Sequence, residues 1–191
     1  MKTQALVAIK MLFALTILTG MVYPLFITAF AQLFFREKAN GSLITENKVK
    51  IGSKLIGQLF DSPGYFSSRP SAVSYSPLPS GGSNMGLTNA ALKELVNKRR
   101  AGFYMANLTD SCVAVPSEMV FASGSGLDPH ISPEAAYLQV GRISGCRNFN
   151  PGQKDKLLRA IQDLTEKPQF GLLGKNRINV LLLNLEVDKI K

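Results

Sequence analysis

The chain begins with one long apolar block, and shorter stretches with helical or strand spacing follow it. Residues Met11 to Phe35 include 25 positions without a charge. As a helix this stretch measures about 37 Å, more than the ~30 Å of hydrocarbon in a bilayer. Because lipid cannot satisfy free backbone groups, the block predicts a transmembrane helix over residues 11–35, after a tail of residues 1–10. We expect Pro24 to kink it and Gly20 to offer a smooth patch to another helix.

A cleaved signal peptide is the competing interpretation of the same block. Lys2 and Lys10 would form its basic region, and Ala29-Phe30-Ala31 has the small-x-small pattern of a cleavage site. Signal cores are only about 7–15 residues long, and this apolar run continues to Phe35. The length favours an uncleaved membrane anchor.

Residues 36–191 predict one compact extramembrane domain of the α+β class. Asn40-Gly41 indicates a turn, and strand-like pieces follow at Leu43–Ile44 and 48–51. The Pro-, Gly- and Ser-rich stretch 61–87 predicts a long ordered loop. Helices are expected after the caps Thr88 or Asn89, Ser132 and Asn150, and an apolar run at 177–187 predicts a central strand.

The excess of basic residues in the extramembrane domain excludes few classes of function. Residues 36–191 contain 20 basic and 13 acidic side chains, but only Lys98-Arg99-Arg100 forms a dense basic cluster. That cluster falls near the end of a predicted helix, where cations meet the negative end of the dipole. The scattered pattern favours a solvated surface over a nucleic-acid partner. Basic residues flank the apolar block on both sides, so charge leaves the topology open.

The side chains that could carry chemistry form no convincing catalytic or metal site. Cys112 and Cys146 belong to no CxxC pair, and His130 is the single histidine, which argues against zinc. The two cysteines would form a disulfide in an oxidising compartment, and two buried thiols are an equal alternative. Ser125, Asp128 and His130 lie close in sequence, but no nucleophile-elbow pattern surrounds Ser125, so no catalytic residue is predicted.

Two glycine- and serine-rich loops have the composition of phosphate-binding turns. They are Ser80-Gly-Gly-Ser-Asn84 and Ser123-Gly-Ser-Gly126, and neither contains the Gly-Lys-Ser/Thr of a Walker motif. A turn-forming role is the default interpretation, and ligand contact is the alternative.

Taken together, the ordered motifs resemble the C subunit of the bacterial Kdp potassium-transporting ATPase, along essentially the whole chain. The matching segments are Leu18-Thr-Gly-Met-Val-Tyr-Pro24, Ala39-Asn-Gly-Ser-Leu-Ile44, Leu55-Ile-Gly-Gln58, Tyr65-Phe-Ser-Ser-Arg-Pro-Ser-Ala72, Ser80-Gly-Gly-Ser-Asn84, Ala122-Ser-Gly-Ser-Gly-Leu-Asp-Pro-His-Ile-Ser-Pro133, Gln139-Val-Gly-Arg142 and Asn179-Val-Leu-Leu-Leu-Asn-Leu185. The chain departs from the family pattern at Ser67, Gly141 and Lys175-Asn176, and its two cysteines are outside that pattern.

The resemblance implies an accessory subunit of an ATP-driven, high-affinity potassium uptake complex in the bacterial inner membrane. The implied partners are a channel-like potassium-binding subunit, a P-type ATPase subunit and a small membrane subunit, together with the bilayer. The subunit would catalyse no reaction itself and would be a catalytic chaperone, which raises the ATP affinity of the ATPase subunit. It would have no tightly bound cofactor, and its soluble domain would lie in the periplasm. From that position any effect on ATP would be an indirect coupling through the complex.

The matched motifs indicate a set of interaction or loop-ordering residues. These are Arg69, Gly82, Ser83, Asn84, Ser123, Ser125, Asp128, His130, Gln139 and Arg142. The alternative hypothesis is a regulatory subunit that contacts ATP directly through its Gly/Ser loops on the cytoplasmic side.

Overall fold

The computed structural model describes residues 2–46 and 48–190 and divides the chain into two compact units. The first unit extends to Ser53 and the second begins at Lys54. The fold is α+β, as predicted, with an apolar N-terminal helix and a mixed region of helices and small sheets. The position of the membrane boundary at Phe35 stays a prediction.

The first unit consists of an N-terminal helix and a small hairpin. The apolar helix is one candidate membrane span, Lys2–Phe34, made of α1 (Lys2–Ile17), a π-helical turn (Leu18–Val22) and α2 (Tyr23–Phe34). After the short helix α3 (Arg36–Ala39), strands β1 (Leu43–Glu46) and β2 (Val49–Ser53) pair antiparallel.

Pro24 explains the π-helical turn. Proline has no N–H, and in an α-helix its ring would clash with the carbonyl of Gly20, four residues earlier. The structure widens the turn instead, so that the amide of Tyr23 donates to the carbonyl of Leu18, five residues back. The expected effect of Pro24 on the helix is therefore a change in its hydrogen-bond pattern. Thr19 also bonds back to its own helix, from Oγ1 to the carbonyl of Leu15 at 2.7 Å.

The second unit packs four helices beside a two-stranded sheet. In chain order its elements are α4 (Ala90–Asn107), a 3-10 turn (Ser117–Met119), β3 (His130–Ile131), α5 (Pro133–Cys146), α6 (Pro151–Asp163), β4 (Ile178–Asn179) and α7 (Val180–Lys189). No helix or strand is present between Ser53 and Ala90, which confirms the long loop.

Local signals placed three of these helices correctly. The side-chain oxygens of Asn89, Ser132 and Asn150 accept backbone N–H groups at the starts of α4, α5 and α6. At α6 the reciprocal bond from Asn150 N–H to Gln153 completes a capping box.

The predicted central strand at 177–187 is wrong. Only Ile178 and Asn179 are extended, pairing with β3, and the rest of the run forms α7. The Oδ1 atom of Asn179 accepts the amide of Leu182 at 3.2 Å, so this residue is a helix cap. The buried side chains Val180, Leu183 and Val187 have the 3–4 spacing of one helix face, a period that the leucines between them hide in the sequence.

The core of the second unit lies between α5, α6 and α7. Its fully buried members include Ile143 on α5, Leu157 and Ile161 on α6, and Leu183 on α7. Phe66, from the long loop, is also completely buried in this cluster. The long loop is thus part of the core, and it carries its neighbours Ser67 to Arg69 to fixed positions.

Candidate functional site

Arg69 and Asp128 form a half-buried ion pair between the long loop and the segment before β3. Nη1 of Arg69 lies 2.8 Å from Oδ2 of Asp128, and the second carboxylate oxygen accepts the backbone amide of His130 at 3.0 Å. Nδ1 of His130 lies 3.3 Å from that same oxygen. The hydroxyl of Tyr75 donates to the carbonyl of Arg69 at 2.6 Å, which fixes the loop behind the guanidinium.

This environment lowers the pKa of the Asp128 carboxyl below its ordinary value. Burial by itself would raise the pKa, because it disfavours the charged form. The hydrogen bonds from His130 and the positive charge of Arg69 together outweigh the burial. Asp128 is therefore a carboxylate held in place by donors, which suits a structural link better than proton transfer.

The two Gly/Ser loops lie against each other. Gly81 donates its amide to the carbonyl of Ser125 at 3.0 Å, and a Cβ on Gly82 would lie 3.2 Å from the carbonyl oxygen of Gly124. The hydroxyl of Ser123 accepts the amide of Asp128 at 3.4 Å. The loops thus support one another and orient Asp128.

Most amides of the Ser123–Asp128 loop are already used inside the protein. Those of Gly126, Leu127 and Asp128 donate to the carbonyl or hydroxyl groups of Ser123 and Ser125. A phosphate cradle needs free amides that converge on one point, so this geometry favours a turn-forming role for the loop.

Gln139 and Arg142 form a second cluster, on α5. Oε1 of the fully buried Gln139 accepts the amide of Ser67 and Nη2 of Arg142, both at 2.8 Å. Arg142 also donates to the carbonyl of Tyr65 at 2.9 Å and to that of Pro63. Burial lowers the pKa of Arg142 below its ordinary value, although the guanidinium stays charged. This cluster fixes the loop on the side facing α5.

The structure therefore divides the predicted residues into two groups. One group surrounds the ion pair and the Gly/Ser loops, and the other is the Gln139–Arg142 cluster on α5. Ser83 and Asn84 lie in the first Gly/Ser loop, but within the described part of the chain they make no hydrogen bond.

Sequence reasoning missed Asn184, which completes the anchoring of Phe66. Its Oδ1 accepts the amide of Phe66 at 2.8 Å, and its Nδ2 donates to the carbonyl of the same residue at 3.0 Å. The side chain thus pairs with the backbone as a neighbouring strand would. Its signal in the sequence is one amide inside the apolar run Val180–Val187, where a buried polar group needs partners.

Arg147, which was also missed, connects the end of α5 to α7 and the loop. It donates from Nη2 to Asp188 at 2.7 Å and from Nε to the carbonyl of Gly64 at 2.8 Å. Its guanidinium carbon lies 4.6 Å from the ring centre of Tyr65, a cation–π contact.

A pocket of about 380 Å³ opens beside the ion pair. Arg69, Asp128 and His130 form one wall, and the segment 167–177 forms another. The Nε atom of Arg69 is buried and has no hydrogen-bond partner among the described residues. Three of the predicted site residues therefore line this pocket.

The structure gives no support to a bond between Cys112 and Cys146. Both residues are free and exposed, so the alternative of two buried thiols is wrong. The described residues contain no group of three or more His, Cys, Asp or Glu side chains that could hold a metal ion.

Comparison with known proteins decides the family. The family model described as the c chain of the K⁺-transporting ATPase, KdpC, matches residues 5–189. The chain belongs to the KdpC family. It is therefore a subunit of a potassium-transporting P-type ATPase. Residues 2–46 and 48–190, which the structure describes, include one candidate membrane span.

Full-length relatives agree with this family assignment. A protein of Dechloromonas aromatica named potassium-transporting ATPase KdpC subunit is 44% identical, covering 100% of this chain and 99% of its own. The protein of that name from Geobacter sulfurreducens is 46% identical over 96% of each chain. That from Bacillus cereus is 44% identical, over 95% of this chain and 93% of its own.

Proposed function

We propose that this chain is an accessory subunit that assembles and stabilises a high-affinity potassium uptake complex, without catalysing a reaction itself. One observation carries the proposal: the candidate membrane helix Lys2–Phe34 has 0% of its most apolar window buried within the chain. Such a helix is free to pack against membrane helices of other subunits or against lipid. The implied partners are the channel-like potassium-binding subunit, the P-type ATPase subunit and the small membrane subunit.

The geometry around Asp128 supports the non-catalytic part of the proposal. A serine hydrolase needs a serine hydroxyl bonded to the histidine base, which in turn bonds the acid. Among the described residues no hydrogen bond joins a serine hydroxyl to His130, and Asp128 is paired with Arg69. These groups are arranged to hold two loops together.

The role of the subunit in raising ATP affinity is then an indirect one. The amides of Gly126, Leu127 and Asp128 are satisfied inside the protein, which favours coupling through the complex over direct ATP contact by this loop. A coupling of about 1–3 kcal/mol would change the ATP affinity of the ATPase subunit roughly 5–150-fold. We place the domain on the periplasmic side, as the family resemblance implies. Its positive charge does not oppose this placement, because long domains are translocated largely regardless of their charge.

Assembly through the helix is tested by filling the space at Gly20. A Cβ built on Gly20 meets nothing within 4 Å, so Gly20→Leu leaves the isolated chain undisturbed and blocks only a neighbouring helix. Ala14→Leu, elsewhere on the exposed helix, is the matched control. We expect Gly20→Leu alone to reduce the yield of purified complex. Equal yields from both variants would remove Gly20 as a packing position.

Topology and nucleotide contact need a separate experiment. The C-terminus is fused to alkaline phosphatase in one strain and to a cytoplasm-only fluorescent protein in another. We expect active phosphatase and a dark fluorophore, together with no saturable binding of labelled ATP to the purified chain. A fluorescent fusion with saturable ATP binding would instead establish direct nucleotide contact.

A further inference from the structure

The segment between α6 and β4 forms a short hairpin fixed by its own backbone. Glu166 pairs with Arg177 and Gln169 pairs with Leu173, both in antiparallel bridges. Gln169 and Leu173 exchange two N–H···O bonds of 2.9 Å, and Phe170 and Gly171 make the turn with φ values of +55° and +73°. The tip is thus an ordered structure and presents its side chains in fixed directions.

The tip of this hairpin is strongly apolar and points away from the core. Phe170 is 92% exposed, Leu172 86% and Leu173 63%. Three large apolar side chains within four residues, all facing solvent, form a patch typical of an interaction site. The turn itself does not require exposed apolar side chains, because Asn, Asp and Gly form such turns more readily.

The base of the hairpin carries uncompensated positive charge. Lys167 and Lys175 flank the tip, both exposed, and in the described part of the chain neither has an ion-pair partner. Both line the pocket beside Arg69 and Asp128. The other cations of the pocket are already paired: Arg69 with Asp128 at 2.8 Å, and Arg177 with Glu166 at 2.9 Å.

The pocket contains one further acid, Glu118. Its Oε1 accepts the amide of Ser132 at 2.6 Å, at the start of α5, so the carboxylate faces the positive end of that helix. The two lysines are therefore available to an external anion. The nearest apolar neighbours of that anion would be the side chains of the hairpin tip.

We propose that this hairpin docks on an anionic phospholipid surface. Phe170 and Leu172 enter the boundary between headgroups and acyl chains, while Lys167 and Lys175 meet headgroup phosphates. This combination of aromatic and aliphatic side chains with flanking lysines suits the membrane interface. The same chain carries a candidate membrane helix, which keeps the hairpin at high effective concentration near a bilayer. The proposal needs no other subunit and is separate from the role in assembly.

The test uses the full chain reconstituted alone into vesicles. In a Cys112→Ser, Cys146→Ser background, Leu172→Cys is labelled with an environment-sensitive fluorophore. Leu87→Cys, on another loop and 90% exposed, is labelled as the matched control. Vesicles contain either phosphatidylcholine only or phosphatidylcholine with phosphatidylglycerol.

We expect the label at position 172 to report an apolar environment in the phosphatidylglycerol vesicles, while the label at 87 stays in water. Lys167→Gln and Lys175→Gln should each weaken this docking about fivefold, as expected for one cation near an anionic surface. Equal signals in both kinds of vesicle would overturn the proposal. So would a signal at 172 that appears only when the other subunits are present, which would make the hairpin a protein interface.

Discussion

Oε1 of Gln139 accepts hydrogen bonds from Nη2 of Arg142, three residues later on α5, and from the amide of Ser67 in the long loop, both at 2.8 Å. One buried oxygen therefore joins a helix to a segment more than 70 residues earlier in the chain. The loop contains no helix or strand of its own. Hydrogen bonds from side chains therefore take the place of the backbone hydrogen bonds that order a helix or a sheet.

Replacing Arg142 with methionine should destabilise the protein by about 2–4 kcal/mol, because the carbonyls of Pro63 and Tyr65 lose their donor. Arg159→Met, at an exposed position on α6, is the control and should stay within about 0.5 kcal/mol. Chemical unfolding of the full chain in detergent measures both. A cost for Arg142→Met no larger than that of the control would contradict the anchoring role.

Asn184 should tolerate neither an apolar nor an acidic replacement. Asn184→Leu leaves the amide and carbonyl of Phe66 unpaired in a buried site, at a cost of about 2–3 kcal/mol. Asn184→Asp keeps the acceptor but turns an oxygen towards the Phe66 carbonyl, so it should also destabilise the fold. Asn97→Leu, on the exposed side of α4, is the matched control in the same unfolding assay. Full stability of Asn184→Asp would show that the donated bond is dispensable.

The ion pair of Arg69 and Asp128 should make stability depend on pH in one direction. Because the pKa of Asp128 is lowered in the folded state, its stabilising effect is complete above the ordinary value of 3.8. The effect is lost as the pH falls below that value and the carboxylate is protonated. Asp128→Asn should therefore cost about 1 kcal/mol at neutral pH, allowing for partial exposure.

The pH dependence is measured by unfolding wild type and Asp128→Asn in parallel from neutral pH downwards. We expect the stability difference between them to be constant down to about pH 4 and then to shrink. A difference that stays unchanged to about pH 2 would show that the charge of Asp128 contributes nothing.

Position 57 should not tolerate replacement of its glycine by even the smallest side chain, that of alanine. Its amide donates to the carbonyl of Leu127 at 2.7 Å, and a Cβ at this position would lie 2.7 Å from the carbonyl oxygen of Asp128. Since the obstructing atom belongs to the backbone, Gly57→Ala should cost about 1–3 kcal/mol. At Gly81 an added Cβ meets nothing within 4 Å, so Gly81→Ala is the control. Equal melting temperatures for the two variants would falsify the close approach.

The sequence was most informative where the signal is local. A cap side chain accepts an amide only two or three residues later in the chain, so Asn89, Ser132 and Asn150 located α4, α5 and α6 without knowledge of the fold. The apolar block from Met11 to Phe35 was equally direct, because a run of that length has few alternatives.

Prediction failed where the outcome depends on distant partners. The run 177–187 is apolar at seven of its eleven positions, and only its packing against α6 shows that it is a helix. The approach of the Ser80–Asn84 loop to the Ser123–Gly126 loop also joins distant positions. No spacing within either loop encodes it. The matched family motifs indicated a set of interaction residues, but not the way in which most of them divide into two clusters.

The π-helical turn at Leu18–Val22 has a consequence for how the membrane helix can pair with others. One extra residue in a turn rotates every later side chain by roughly the 100° that one α-helical residue subtends. A stripe of side chains that lies on one face of the helix before Leu18 therefore continues on a different face after Val22. The two halves of a single span, before and after the turn, can thus contact two neighbouring helices in different directions.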